Sequence, residues 1–257
     1  MMKTLPFVEV KTVSKHFGGV TAVDSVSFDI TAGVLKSIIG PNGAGKSTML
    51  NLLSGVLRPT SGDIFISGVR TTHLKSYEIA ELGVARTFQN VQLFENMTVL
   101  ENAMVGMHIR TRHGMLDAAF RLPRQIREER LIARGAMEAL DKVGLADRAG
   151  DNASSLPFGQ QRLLEIARAL ACEPKIIMLD EPASGLSTHE TEELAELLRS
   201  ILADGVTIVL VDHDMQFVMD ISDEILVLDH GQRIAEGKPS EVQDNPKVIA
   251  AYLGEEA

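Results

Sequence analysis

One stretch constrains this chain more than any other: Gly40-Pro41-Asn42-Gly43-Ala44-Gly45-Lys46-Ser47-Thr48. Gly40, Gly45, Lys46 and Ser47 stand at the spacing of a phosphate-binding loop. Glycines let the backbone curl into a nest whose N–H groups point inward, which is what clustered phosphate oxygens need. The helix expected from Lys46 onward adds the positive end of its dipole. Lys46 offers a point charge to the outer phosphates, and Ser47 offers a hydroxyl to Mg²⁺. The flanks agree: residues 34–39 read as a short strand and residues 49–53 as a helix. Nucleotide binding follows from this stretch alone.

With 257 residues, of which 45% are hydrophobic, the chain can form one large α/β domain or two small ones. Its longest apolar runs, residues 176–179 and 206–211, have the length of buried strands and fall far short of a membrane span. The first six residues have no apolar core of the kind a signal peptide needs. The single cysteine, Cys172, cannot form an internal disulfide and fits a reducing compartment as a buried structural thiol. A net charge of −10 argues against a nucleic-acid partner.

In chain order, residues 8–13 and 25–30 alternate apolar and polar, as half-exposed strands do. Between them Phe17 sits on a turn, where it either stacks on an adenine ring or covers the edge of the core. A turn at residues 59–62 leads to a strand at 63–68, and residues 84–89 read as another strand ending in Gln89. Thr98 and Glu101 have capping-box spacing ahead of a mostly helical stretch. That stretch carries Arg110, Arg112, Arg121, Arg124, Arg127, Arg130 and Arg134. The last four recur at helical spacing, as a solvated face or as one turned toward lipid headgroups or an acidic partner.

Residues 156–161 form a turn that opens a helix with an apolar stripe at Leu163, Ala167 and Leu170, interrupted by Arg162 and Arg168. An apolar strand at 176–179 then ends in Asp180 and Glu181. Ionised groups after a buried strand need a use or a partner. Neighbouring strand residues point to opposite sides, so one carboxylate can serve Mg²⁺ while the other addresses attacking water. Ser187 and Glu190 form a second capping box, opening a helix with Leu194, Leu197, Leu198 and Ile201 on one face. A buried strand at 206–212 ends at His213, near the carboxyl edge where open α/β sheets bind ligands. A hairpin around residues 229–231 and a short helix from Pro246 complete the chain.

Taken together and in this order, these residues resemble the ATP-binding subunit of an ABC transporter, over nearly the whole chain. The resemblance implies an α/β fold, a P-loop NTPase cassette with a RecA-like core, an antiparallel β subdomain and a helical subdomain. It implies one domain over 3–257, with a core at 3–90 and 158–235, helices at 91–157 and a tail at 236–257. It makes Phe17 the adenine-stacking aromatic and Gly40, Pro41, Asn42, Gly43, Ala44, Gly45, Lys46, Ser47 and Thr48 the Walker A loop. Gln89 becomes the glutamine that contacts Mg²⁺ and senses the membrane subunit. Leu156, Gly159 and Gln160 fall in the signature motif, which addresses the nucleotide of a partner cassette. Asp180 becomes the second Mg²⁺ residue, Glu181 the general base and His213 the switch histidine, with Lys46 at the phosphates. The cofactors implied are ATP and Mg²⁺.

A narrower likeness rests on residues 91–94 and 97–102, on Leu156-Pro157-Phe158-Gly159-Gln160-Gln161 and on the ending 246–254. These resemble the larger ATPase of branched-chain amino acid importers, which implies a second, different ATPase, transmembrane permeases and, indirectly, a periplasmic binding protein. The location implied is the cytoplasmic face of the cell membrane. Pro157-Phe158 stand where most of the family has Ser-Gly, and Ser187 where an Asp is usual. Pro157 lacks an N–H and a hydroxyl, so a heterodimer with unequal ATP sites is expected. The alternatives are a cassette for a related cargo, a glycolipid exporter or a non-transport ABC ATPase.

Overall fold

The computed structural model describes residues 6–89, 92–107 and 123–253. The chain forms two compact units, one from the segments up to Arg86 and from Lys175 onward, the other from Thr87–Pro174.

The first unit contains two sheets. Strands β1 (Val8–Phe17) and β2 (Val20–Ile30) pair antiparallel across a tight Gly18-Gly19 turn. With β4 (Ser61–Ile66) and β5 (Val69–Arg70) they give the order β2-β1-β4-β5. The second sheet has the order β10-β9-β3-β8-β7-β6, from β3 (Leu35–Ile39), β6 (Val84–Arg86), β7 (Ile176–Asp180), β8 (Thr207–Val211), β9 (Glu224–Asp229) and β10 (Gln232–Gly237). All its neighbours are parallel except β9 and β10, which form the expected hairpin. Every residue of β3, β7 and β8 is buried. That is why β7 and β8 read as nearly continuous apolar runs, whereas β1 and β2 alternate; β3 also buries Lys36 and Ser37. Val10, Val26 and Phe28 of one sheet share a core with Ile38, Met178, Val209 and Leu226 of the other.

The second unit packs the helices Val99–Met107, Pro123–Lys142 and Phe158–Ala171 on one another. Its bounds differ from those read in the sequence. The helix Phe158–Ala171, assigned above to the nucleotide-binding core, groups with the other helices because it packs against both of them. β6 is also shorter than the strand expected at 84–89, since its ladder with β7 runs out at Arg86. The apolar stripe differs as well. Leu164, Ile166, Ala167 and Ala169 are buried, and so are Arg162 and Glu165, while Leu163 and Leu170 are half-buried. Cys172 is half-buried, with Sγ 3.1 Å from the Gly106 carbonyl oxygen.

Both capping boxes form: the Glu101 N–H donates to Thr98 Oγ1 at 3.1 Å, and the Glu190 N–H to Ser187 Oγ at 3.4 Å. Arg110, Arg112 and Arg121 lie outside the described residues. Arg134 is exposed and pairs with Glu138, four residues on. Among the described residues no helix is long and apolar enough to cross a membrane.

Candidate functional site

In the first unit, β7, β8 and β3 are adjacent and parallel, so their carboxyl ends lie along one edge of the sheet. The phosphate loop follows β3, Asp180 and Glu181 end β7, and Asp212 and His213 follow β8. A crevice at the carboxyl edge is where such sheets bind ligands.

The loop needs its glycines for two distinct reasons. Gly40 and Gly45 have φ of 147° and 101°, a region that L side chains avoid. A Cβ on Gly40 would stand 2.0 Å from the Leu228 carbonyl oxygen, and one on Gly45 2.4 Å from that of Ala22. The backbone therefore folds tightly against β9 and β2. Asn42 and Gly43 are exposed, Pro41 and Ala44 are buried, and Thr48 is half-buried in the first helical turn. Lys46 arches back over the loop, its Nζ donating to the carbonyls of Gly40 (2.6 Å) and Pro41 (2.8 Å). The helix Lys46–Leu53 has no side chain capping its N-terminus, and Ser47 is exposed there. An uncapped helix start with a cation and a hydroxyl at its mouth suits a bound anion.

Phe17, at the end of β1, keeps 45% of its surface exposed, and Lys15 Nζ lies 5.0 Å from its ring centroid. The exposed ring is available to the stacking role read in the sequence.

Asp180 is buried, and its Oδ2 accepts from Arg86 at 3.0 Å. Glu181 has a left-handed backbone (φ 50°), held by its N–H donating to the Val211 carbonyl at 2.7 Å. Non-glycine residues adopt this conformation at a cost, and such strain gathers at functional sites. It turns the Glu181 carboxylate toward β8, where Oε2 lies 3.8 Å from His213 Nδ1. His213 itself is mostly exposed.

Two residues of this edge escaped the sequence reading. Asp212 is buried and accepts three N–H groups: from His213 (2.8 Å) and Asp214 (3.1 Å) on Oδ1, and from Ala183 (3.1 Å) on Oδ2. It thereby ties the turn bearing His213 to the turn after Glu181. Its signal was present, since an acid closes the apolar run of β8 as Asp180 closes that of β7. Arg86 is the other, and no local pattern announces it. Ser187 Oγ both accepts the Glu190 N–H and donates to its carboxylate (2.7 Å), so the hydroxyl is engaged in its own cap.

A metal at this edge would have few protein ligands. Among the described residues no group of three or more His, Cys, Asp or Glu side chains converges. Ser47 and Asp180 are a hydroxyl and a carboxylate, hard oxygen donors that suit Mg²⁺. Mg²⁺ commonly takes one or two protein oxygens, with phosphates and waters completing its shell.

In the second unit, Gln89 is exposed and its carbonyl accepts from Arg162 at 3.0 Å. Arg162 also donates to the Phe88 carbonyl (3.1 Å) and to Glu165 (3.3 Å), while the Phe88 N–H donates to Glu165 (3.2 Å). Arg168 donates to the Gln92 carbonyl at 2.6 Å. One helix thus grips the backbone on which Gln89 rides. Burial pushes the Glu165 carboxyl above its usual range, against the pull of the Phe88 N–H and the two arginines. Leu156 is buried, Pro157 is the N-cap of the helix, and Phe158 and Pro157 are exposed at its start. Gly159 and Gln160 are half-buried, with Gln160 Oε1 accepting from Arg148 at 3.1 Å.

Comparison with known proteins agrees with this arrangement. The ABC transporter family model matches residues 23–184, and a model described as branched-chain amino acid ATP-binding cassette transporter matches residues 232–257. The high-affinity branched-chain amino acid transport ATP-binding protein BraF of Pseudomonas aeruginosa is 43% identical over 251 residues, covering 97% of this chain and 98% of that protein. LivG of Escherichia coli K12, with the same description, is 42% identical over the same shares. An ATP-binding cassette of an ABC transporter, solved in its ADP conformation, superposes with a TM-score of 0.85 at 32% identity, covering 98% of this chain and all of that one. A cassette solved as a dimer superposes at 0.76 with 30% identity, over 90% of this chain and 98% of that one. The chain belongs to the ABC transporter family, as one of its ATP-binding cassettes and on the branched-chain amino acid branch.

Proposed function

We propose that this chain is the ATP-hydrolysing subunit of an importer of branched-chain amino acids. The observation that carries the reading is the carboxyl edge of β3, β7 and β8, which gathers the phosphate loop, Asp180-Glu181 and His213. The loop N–H groups and Lys46 hold the phosphates, and Phe17 stacks on the adenine. Ser47 and Asp180 would hold Mg²⁺, which when bound would neutralise phosphate charge. Glu181 takes a proton from water as its oxygen bonds to the γ-phosphorus. The bond from that phosphorus to the bridging oxygen breaks, leaving ADP and phosphate. His213 holds the γ-phosphate in line.

Leu156, Gly159 and Gln160 act on the nucleotide of a second cassette, with Pro157 offering neither N–H nor hydroxyl. The working unit is therefore a heterodimer, docked on permease subunits at the cytoplasmic membrane face and served by a periplasmic binding protein. The cargo assignment leans on the transport role in the names of the BraF and LivG relatives.

Glu181→Gln is the direct test. Loss of a general base lowers turnover by roughly 10²–10⁴-fold, while ATP binding survives. Hydrolysis at the unaltered rate would remove Glu181 as the base. Vigorous cooperative ATPase from the isolated chain would remove the heterodimer.

A further inference from the structure

Arg86 closes β6 and is mostly buried, in register beside Met178 of β7 and two residues short of Asp180. Its guanidinium grips two elements of the first unit. One grip is on the Asp180 carboxylate, at 3.0 Å through Nη2. The other, through Nη1, is on the Asn51 side-chain oxygen at 2.7 Å and the Ser54 hydroxyl at 2.8 Å. Asn51 lies in the helix Lys46–Leu53 and Ser54 is its C-cap. Positions 47, 51 and 54 follow i, i+4, i+7 spacing, so Ser47 shares the face that Arg86 holds, about 6 Å further along the axis. The two protein oxygens assigned above to Mg²⁺ thus belong to elements that one guanidinium joins. Among the described residues the Asp180 carboxylate bonds to no side chain but that of Arg86, so its Oδ1 is left for the metal side.

We infer that Arg86 is a positioning residue, a bracket that sets the distance between Ser47 and the Asp180 carboxylate and so the geometry of the Mg²⁺ site. This rests on the reading of Ser47 and Asp180 as the magnesium residues. Arginine suits the task because its planar fork bonds two groups at a fixed angle, whereas lysine is a point donor. The bracket acts on the metal, so its loss separates two quantities that general damage would lower together. These are nucleotide binding without Mg²⁺, governed by the loop and Lys46, and the tightening that Mg²⁺ adds.

The test uses the full chain and a fluorescent, non-hydrolysable ATP analogue, titrated in EDTA and then with Mg²⁺ at fixed analogue. In Arg86→Met, affinity in EDTA stays within about twofold, while the Mg²⁺ concentration for half-maximal tightening rises about tenfold, the worth of one charge-assisted hydrogen bond. Arg86→Lys does not restore it. Asn51→Ala, which leaves the arginine, its charge and its second anchor on Ser54, shifts the Mg²⁺ midpoint the same way by less, about threefold. Superimposable Mg²⁺ titrations for Arg86→Met, or equal losses with and without Mg²⁺, would overturn the bracket. Should Arg86→Met not fold, Asn51→Ala and Arg86→Lys decide the matter by the same criteria. Asp180→Asn separates the two layers. No Mg²⁺ effect from it sinks the magnesium reading itself, whereas an effect from it with none from Arg86→Met sinks only the bracket.

Discussion

Each of the two units buries an arginine against a carboxylate, and they do so for different ends. Arg86, in the sheet unit, reaches the side chains of Asn51, Ser54 and Asp180, which are 32 to 94 residues away in sequence. Arg162, in the helical unit, pairs with Glu165 on its own helix and also donates to the carbonyls of Phe88 and Gln89. The first links side chains of separate elements and so fixes a distance. The second links a helix to a loop's backbone, whatever side chains that loop bears, and so fixes a path. The proposed metal site needs the former, and a loop that carries an exposed glutamine is held in place by the latter.

The contrast is broken most severely at Arg162. It is 2% exposed, with Glu165 at 1%, so Arg162→Met takes the nearer of two arginines from a carboxylate with little water nearby, leaving it the Phe88 N–H and Arg168 at 3.8 Å. Removing one partner of a buried pair costs about 3–5 kcal/mol. The loss should appear as a lowered midpoint in urea unfolding and as early proteolysis between Phe88 and Gln92. Affinity for nucleotide in EDTA should be unchanged. A weakened nucleotide affinity with an unaltered urea midpoint would reverse the assignment of roles.

Lys36 supplies an intermediate case within the sheet unit. Its Nζ donates to the Asp29 carbonyl at 2.7 Å and to Glu224 at 3.1 Å, and it pairs with Glu236. The lysine is fully buried, yet both carboxylates are partly exposed. Lys36→Met should therefore cost less, about 1–3 kcal/mol, because the glutamates can be rehydrated. A cost equal to that of Arg162→Met would mean that partner exposure does not set the ranking.

The smallest effect concerns pH. Burial raises the folded-state affinity of Glu165 for a proton above its ordinary value of 4.5. Above 4.5 the unfolded chain has released that proton while the folded chain still holds it. Stability from this group is thus complete below that value and is lost as pH rises through the raised folded value. Glu165→Gln cannot ionise, so its unfolding midpoint should fall less than that of the unaltered chain as pH rises above 4.5. Identical pH slopes would remove Glu165 as the source.

What could be read in the sequence was what is encoded locally. The phosphate loop declares itself within nine residues, because its glycines and lysine act on their own backbone. The two capping boxes are likewise legible, since each is a bond across three residues. The long-range ties were not. Arg162 and Glu165 interrupt an apolar pattern, and periodicity alone turns such residues toward water. Their partners at Phe88 and Gln89 lie more than seventy residues away, so nothing local marked that face as buried. Arg86 was hidden in the same way, whereas Asp212 closes an apolar strand as Asp180 does, and only its three N–H partners were beyond local reading.

The strand order has a consequence for how the chain is made. β3 lies between β8 and β9, whose partners for it begin at Ile208 and Glu224. The phosphate loop is closed from behind by the Gly231 N–H, which donates to the Ala44 carbonyl at 3.1 Å. On a ribosome the loop's sequence therefore emerges long before the strands that hold it in shape. The helical unit is continuous in sequence and can condense first, while the opening segment waits with unpaired strand edges. Parallel pairings of such high sequence separation form slowly and are prone to misassociation. A chain arrested before β9 would carry every residue of the phosphate loop, Asp180, Glu181 and His213, yet lack the Leu228 and Gly231 side of the nest, so the capacity to grip a triphosphate arrives only once β9 and the turn after it are made.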